Sequence, residues 1–186
     1  STGKYGEEYT ETLTIGRTDG DMTYVKYKEQ VFKVSSDVIS FANDSSYNIV
    51  SKLQALVDIS EVKSVTVEYN GAEHTIDITH NDSDMTFVLD GQKVDTKTTQ
   101  AIYKSIVSLA VDGVYKDETL GDTVMKIKYK GIKSSSDTEV EFKSIDDLYC
   151  ALIRNGKTEF TIKKSKLNEF MDLFNTYVEN PGKQGD

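Results

Sequence analysis

The sequence predicts an α+β fold: repeated antiparallel β-meander units, each followed by a helix packed on one sheet face. Three observations predict it. Apolar and polar residues alternate in short runs, as half-buried strands require. Asn70-Gly71, Asp90-Gly91 and Asn155-Gly156 stand between or beside such runs, and these pairs supply the positive-φ residues of tight hairpin turns. After each meander a segment opens on Ser, Asp or Thr and then carries apolar residues three and four apart, the stripe of an amphipathic helix.

The elements follow in order. Residues 9–15 and 22–27 read as strands around a turn at 16–21, then 31–34 as a short strand before a helix opened by Ser35-Ser36-Asp37. Ile49, Leu53, Leu56 and Val57 mark a further helix after a break near Asn43-Asp44. Residues 65–69, 75–79 and 85–89 form the middle meander, with Val94 as a short edge. Asp95 or Thr96 caps a helix whose stripe is Ala101, Ile102, Ile106 and Leu109. Gly113 sits past its end, where a left-handed cap favours glycine. Residues 124–129 are a strand, Ser134 to Asp137 a polar loop, and 138–142, 148–153 and 158–162 the third meander. Ser165 opens a last helix with Leu167, Phe170, Met171, Phe174 and Val178 on one face. Val34 and Ile162 hold matching places, each ending a strand before a Ser-led helix. The reading divides the chain into a partial first unit at 1–60, a complete second unit with two meander-helix halves at 61–179, and a polar tail at 180–186 with the only Pro. No alternating βαβ pattern occurs, which argues against a doubly wound nucleotide-binding fold.

Composition sets limits on function. The 186 residues carry 31 acidic and 22 basic side chains, a net charge of −9. That balance argues against binding a phosphate backbone or an anionic lipid surface. Hydrophobic residues at 37% are enough to fill a core. A single Cys forms no internal disulfide framework. No apolar run is long enough to span a membrane. The chain starts Ser1-Thr2-Gly3, with neither an initiator Met nor a leader, so it is expected to be a processed or excised piece.

Candidate chemistry is sparse. His74 and His80 lie six residues apart on one predicted strand, roughly 20 Å at about 3.3 Å per residue, too far to share a metal. Asp77 points to the other face, so both read as structural or solvated histidines. The pairs Asp19/Asp21 and Asp82/Asp84 sit in predicted hairpin loops. They lack the central Gly and bidentate Glu of a calcium loop and read as turn formers. Cys150, mid-strand between apolar neighbours, reads as a buried and inert thiol. The 11 tyrosines fill half-buried strand surface or, if exposed on a concave face, would stack on sugars. No nucleophile elbow, phosphate loop, zinc-protease or dinucleotide fingerprint is present. The residues therefore point to no catalytic, cofactor-binding or metal-ligating position.

The stretches Leu13-Thr-Ile-Gly-Arg17 with Tyr24-Val-Lys, Val31-Phe-Lys-Val34 before a helix, Phe87-Val-Leu-Asp-Gly91 with Val94-Asp95, and residues 158–174 together resemble a bacterial family known as domain-of-unknown-function family 4340. Phe87 stands where that family typically shows a Trp. The resemblance implies tandem strand-rich units, each closed by a helix, and no established catalytic residues. It also implies an N-terminal membrane anchor, with the units outside the cytoplasm and, in some members, beside transporter subunits of the gliding-motility type. By this resemblance the chain is an anchor-free piece, tethered to the cell membrane by a segment it does not contain, that starts inside one unit. The leading expectation is a non-catalytic extracytoplasmic interaction or accessory domain with a protein partner at the membrane surface and no nucleic-acid partner. The alternative is a small-ligand or glycan-binding module using Tyr and Asp on hairpin loops. A third reading is a hydrolase whose acid pair is assembled from distant loops.

Overall fold

A computed structural model describes residues 11–43, 51–81 and 84–181. The chain separates into two compact units, Ser1–Ile49 and Val50–Asp186.

The first unit is an antiparallel meander of β1 (Leu13–Asp19), β2 (Met22–Tyr27) and β3 (Gln30–Ser35), in that spatial order. Gly20 at φ 61° and Lys28 at φ 53° provide the left-handed residues of its two turns. The alternating pattern puts Leu13, Ile15, Val25, Phe32 and Val34 on one face. A bulge interrupts β1 between Ile15 and Thr18. The helical element after β3 is a 3-10 helix, Ser36–Asn43, rather than the expected α-helix. It is tied to the sheet by Ser36 N–H donating to the Asp21 carbonyl (2.9 Å) and by a Thr23–Ser36 hydroxyl pair (2.9 Å). Among the described residues only Thr23, Val25 and Ile39 are buried in this unit.

The second unit is a nine-stranded antiparallel sheet carrying two α-helices, an α+β arrangement. Its elements are β4 (Val62–Tyr69), β5 (Ala72–Asn81), β6 (Asp84–Leu89), β7 (Gln92–Lys93), α1 (Thr96–Val107), β8 (Gly113–Val114), β9 (Thr123–Gly131), β10 (Thr138–Ser144), β11 (Tyr149–Arg154), β12 (Lys157–Lys163) and α2 (Lys164–Glu179). The spatial order is β7-β6-β5-β4-β9-β10-β11-β12-β8. Two meanders thus meet through their first strands, β4 and β9, with Val67 opposite Ile127 and Val65 opposite Tyr129. The hairpin pairs behave as their chemistry dictates: Asn70-Gly71, Asp90-Gly91 and Asn155-Gly156 all adopt positive φ.

Both helices cover the same sheet face. The Tyr103 ring of α1 meets Tyr129 edge-on, and Phe174 of α2 meets Tyr69 the same way. Tyr129 and Tyr69 share a face because each is in register with the run from Val65 to Met125. The expected core residues Ile102, Ile106, Leu109, Phe170 and Phe174 are all buried. The opposite face is polar, with Thr66 bonded to Thr75, Glu68 paired with Lys128, and Lys126 near Glu139 and Glu141. A one-sided antiparallel sheet gives this clean alternation.

Four expectations need correction. Residues 51–57 form no helix; a strap with a turn at Gln54-Ala55 runs there, and it belongs to the second unit. Its carbonyls are taken by side chains from the sheet and α1: Arg154 donates to Gln54, Tyr129 to Ala55 (2.9 Å) and Tyr103 to Val57 (2.9 Å). A carbonyl accepting such a bond has less need of an intrahelical one. Gly113 is no helix cap. The helix ends at Ser108, and Gly113 lies in β8 opposite Thr161, where an added Cβ would stand 3.1 Å from the Thr161 hydroxyl. Leu148 precedes β11 rather than starting it and is mostly exposed. Finally, Ser165 does not cap α2. Lys163 holds the cap position without a side-chain bond, and Asp112 from beyond α1 supplies the carboxylate, accepting from Lys163 N–H (3.0 Å) and Lys166 Nζ (2.7 Å). An anion beside the first turn suits the helix dipole. Ile49, Tyr9, Asp82 and residues 182–186 lie outside the described residues.

Candidate functional site

The strap and α1 form an apolar recess in the second unit. Three carbonyl bonds pin the strap, and Lys52 adds a fourth tie by accepting from Val111 N–H (2.9 Å). This leaves Leu56, Val57 and Ile59 facing Gln100, Tyr103, Lys104 and Val107 across a groove of about 610 Å³. Helical spacing explains the α1 side. Ile102, Tyr103 and Ile106 turn inward, while Gln100, Lys104 and Val107 stand three and four apart on the neighbouring stripe. Leu56 is 48% exposed, an apolar side chain with water on half its surface. Asp58 and Lys104 put one charge of each sign on the groove's lining. The Asp58 carboxyl is held below the usual carboxylate range by Ser60, whose N–H and hydroxyl both donate to it.

A second, polar recess of about 310 Å³ lies at the Asn70-Gly71 hairpin, lined by Glu68, Glu73, Thr123 and Lys126. Lys126 sits between Glu139 and Glu141 (3.6 and 3.7 Å), and Lys128 binds Glu68.

Both histidines lie on β5, as expected. His74 Nδ1 sits 2.7 Å from Asp90 Oδ2, and the other Asp90 oxygen accepts from Thr75 N–H (2.8 Å). The His74 ring packs near Tyr69 and Phe174. Its acidic partner therefore comes from the next hairpin turn, sixteen residues on, which strand periodicity alone does not reveal. His80 Nε2 lies 2.7 Å from the Val62 carbonyl.

Asp19 binds Lys33 (2.9 Å) across the small sheet, and Asp84 begins β6. Among the described residues no three His, Cys, Asp or Glu side chains cluster as a metal would require. Instead several carboxylates hold turns and helix starts. Asp95 caps α1 through Thr98 N–H (2.8 Å), as the sequence indicates. Asp146 accepts from Leu148 and Tyr149 N–H (both 2.7 Å), and Asp137 from Gly131 N–H and Lys130. Burial raises the Cys150 thiol above its ordinary pKa, which leaves it a poor nucleophile.

Tyr69, Tyr103, Tyr129 and Tyr177 are buried. Their hydroxyls are bound to Asn175, the Val57 and Ala55 carbonyls, and Thr99 respectively. Burial pushes the Tyr103 and Tyr129 phenols far upward in pKa. Of the groove's lining only Tyr103 is aromatic, and it is 6% exposed. No protein-family model matches the chain, and neither does any curated protein or solved structure.

Proposed function

We propose that the chain is a non-catalytic interaction domain, displayed outside the cytoplasm as an accessory part of a membrane-anchored bacterial protein, and serving a transporter-type assembly. The observation that carries the interaction reading is the apolar groove between the strap and α1, with Leu56 half exposed. Apolar recesses with a few polar edges are where partners bury surface. The sequence resemblance to the domain-of-unknown-function family supports the extracytoplasmic and tethered parts of the reading. It also supports a build of meander-helix units. The order β10-β11-β12-α2 and the order β1-β2-β3 followed by a 3-10 helix agree with that build. The alternative, a glycan or small-ligand module, needs tyrosine faces open to solvent at a recess, and the groove offers a single ring nearly closed off.

Site-specific photo-crosslinking in membranes that hold the tethered chain tests this. A photoreactive residue replacing Leu56 is expected to give one discrete adduct with a membrane-associated protein. The same residue replacing Glu139, on the polar sheet face, is expected to give none. Equal labelling from both positions, or none from Leu56, would overturn the reading. A rise in melting temperature with soluble oligosaccharide and no protein adduct would favour the glycan alternative.

A further inference from the structure

We propose that Asn70 is a site of spontaneous covalent modification, at which the chain's own backbone converts the side-chain amide to aspartate or isoaspartate. This is independent of the groove and of any partner.

The hairpin turns Asn70-Gly71, Asp90-Gly91 and Asn155-Gly156 share one chemistry, and in each both residues have positive φ. Two of them tie their first residue to the strand beyond the hairpin by a matched pair of bonds. Asp90 N–H donates to the Thr75 carbonyl (2.9 Å), and Asp90 Oδ1 accepts from Thr75 N–H (2.8 Å). Asn155 N–H donates to the Glu139 carbonyl (2.9 Å), and Asn155 Oδ1 accepts from Glu139 N–H (2.8 Å). Carrying the register of β4 on β9 one residue further puts Val124 beside Asn70. No such pair forms there, and among the described residues the Asn70 side chain makes no hydrogen bond.

Backbone and exposure do not separate the two asparagines. Asn70 and Asn155 have φ of 50° and 48°, and their glycines 76° and 80°. All four residues are exposed, and a Cβ on either glycine would meet nothing within 4 Å. The side-chain tie is the difference between them. The Gly71 amide nitrogen gives its proton to solvent base and attacks Asn70 Cγ. The new N–Cγ bond closes a succinimide, the Cγ–Nδ2 bond breaks, and Nδ2 takes up a proton and leaves as ammonia. Water then opens the ring at either carbonyl, so one water is consumed for each ammonia released and nothing is oxidised or reduced. Asn70 is free to turn its Cγ toward the Gly71 nitrogen, whereas Asn155 must first release Glu139. The product places a carboxylate in a recess already lined by Glu68 and Glu73. Its isoaspartate form also lengthens the backbone of a tight turn, which disturbs the register that the turn sets for β4 and β5.

Peptide mapping by mass spectrometry reads both positions at once. The full chain is held in warm, mildly alkaline buffer, folded or in urea, for as long as the denatured sample needs to react at both asparagines. In the folded chain Asn70 is expected to convert about five-fold faster than Asn155, or more, because Asn155 must break a bond of ordinary strength first. In urea no tie survives, and the two should convert at similar rates. Isoelectric focusing of the intact folded chain should show a leading acidic species that Asn70→Gln removes and Asn155→Gln leaves. Equal rates in the folded chain, faster conversion at Asn155, or a folded Asn70 that stays intact while the denatured chain reacts would overturn the proposal. So would a leading acidic species that survives Asn70→Gln.

Discussion

The sheet of the second unit and the sheet of the first are made of the same short alternating strands, yet they bury very different amounts of side chain. In the second, α1 and α2 lie on the apolar face, and Val65, Val67, Ile127, Tyr129 and Phe142 are closed from water. In the first, Leu13, Ile15 and Phe32 share a face with Val25, but only Val25 is fully covered. Period-two alternation specifies a strand with two unlike faces. It takes a helix stripe of matching width to turn the apolar face into a core. The first unit also leaves both edges long, whereas the second shortens both. One region is therefore built to be self-sufficient, and the other is left with surface that another strand or face can use.

The strongest way to break this comparison is to remove the helix cover of the larger sheet. Phe174 is fully buried and touches Tyr69, His74, Phe170 and Tyr177. Phe174→Ala is expected to cost about 3–5 kcal/mol in urea unfolding of the second unit. A loss below about 1 kcal/mol would show that α2 does not hold the core together. Hydrogen exchange should show β4 and β9 destabilised and β1 to β3 unchanged, because the units are separately compact.

Next in size is the strap. Tyr129→Phe keeps the ring but leaves the carbonyl of the fully buried Ala55 without its donor. The expected loss is about 1–3 kcal/mol, with faster exchange at residues 52–58 and weaker cross-linking from the Leu56 position. Unaltered cross-linking would mean that the groove does not depend on this tie.

The strap also marks where sequence reading stops. Hairpins were legible because Asn-Gly and Asp-Gly carry their own φ preference, and the α1 cap because Asp95 bonds three residues away. Leu53, Leu56 and Val57 have helical spacing, but their segment's conformation is fixed by Arg154, Tyr129 and Tyr103, between 46 and 100 residues distant. Local periodicity contains no information about such partners. The groove was illegible for the same reason, since half its lining is the strap. Cys150 and most of the core stripes were legible because burial alone defines them, but Ala101, expected on the α1 stripe, is exposed and Tyr103 is buried in its place.

A smaller effect is expected in the first unit. Among the described residues Val25 is the best-buried apolar one there, at 4% exposure. Val25→Ala should cost about 1–2 kcal/mol, read as faster amide exchange confined to β1, β2 and β3. Those strands should exchange faster than β4 and β9 even in the parent chain. Equal protection of the two sheets would remove the contrast between them.

The smallest effect probes the open face of the larger sheet. Glu68 and Lys128 pair between β4 and β9 on the polar side of the sheet, each partly exposed, at 29% and 39% of the side chain. The hydrogen bond from Lys128 holds the Glu68 carboxyl below the usual range, and the same bond raises the Lys128 ammonium. The signs fix the pH window. A lowered carboxylate pKa adds stability above the unfolded value and loses it as pH falls through the folded one. A raised lysine pKa adds stability fully below the unfolded value and loses it as pH rises through the folded one. Their coupling should therefore be flat through neutral pH and shrink at both extremes. A double-mutant cycle with Glu68→Gln and Lys128→Met should give less than about 1 kcal/mol. Raising salt to about 1 M, where screening acts within about 3 Å, should reduce it further. A coupling of several kcal/mol that ignores salt would mean that this face is shielded from water, and the comparison of a covered face with an open one would have to be redrawn.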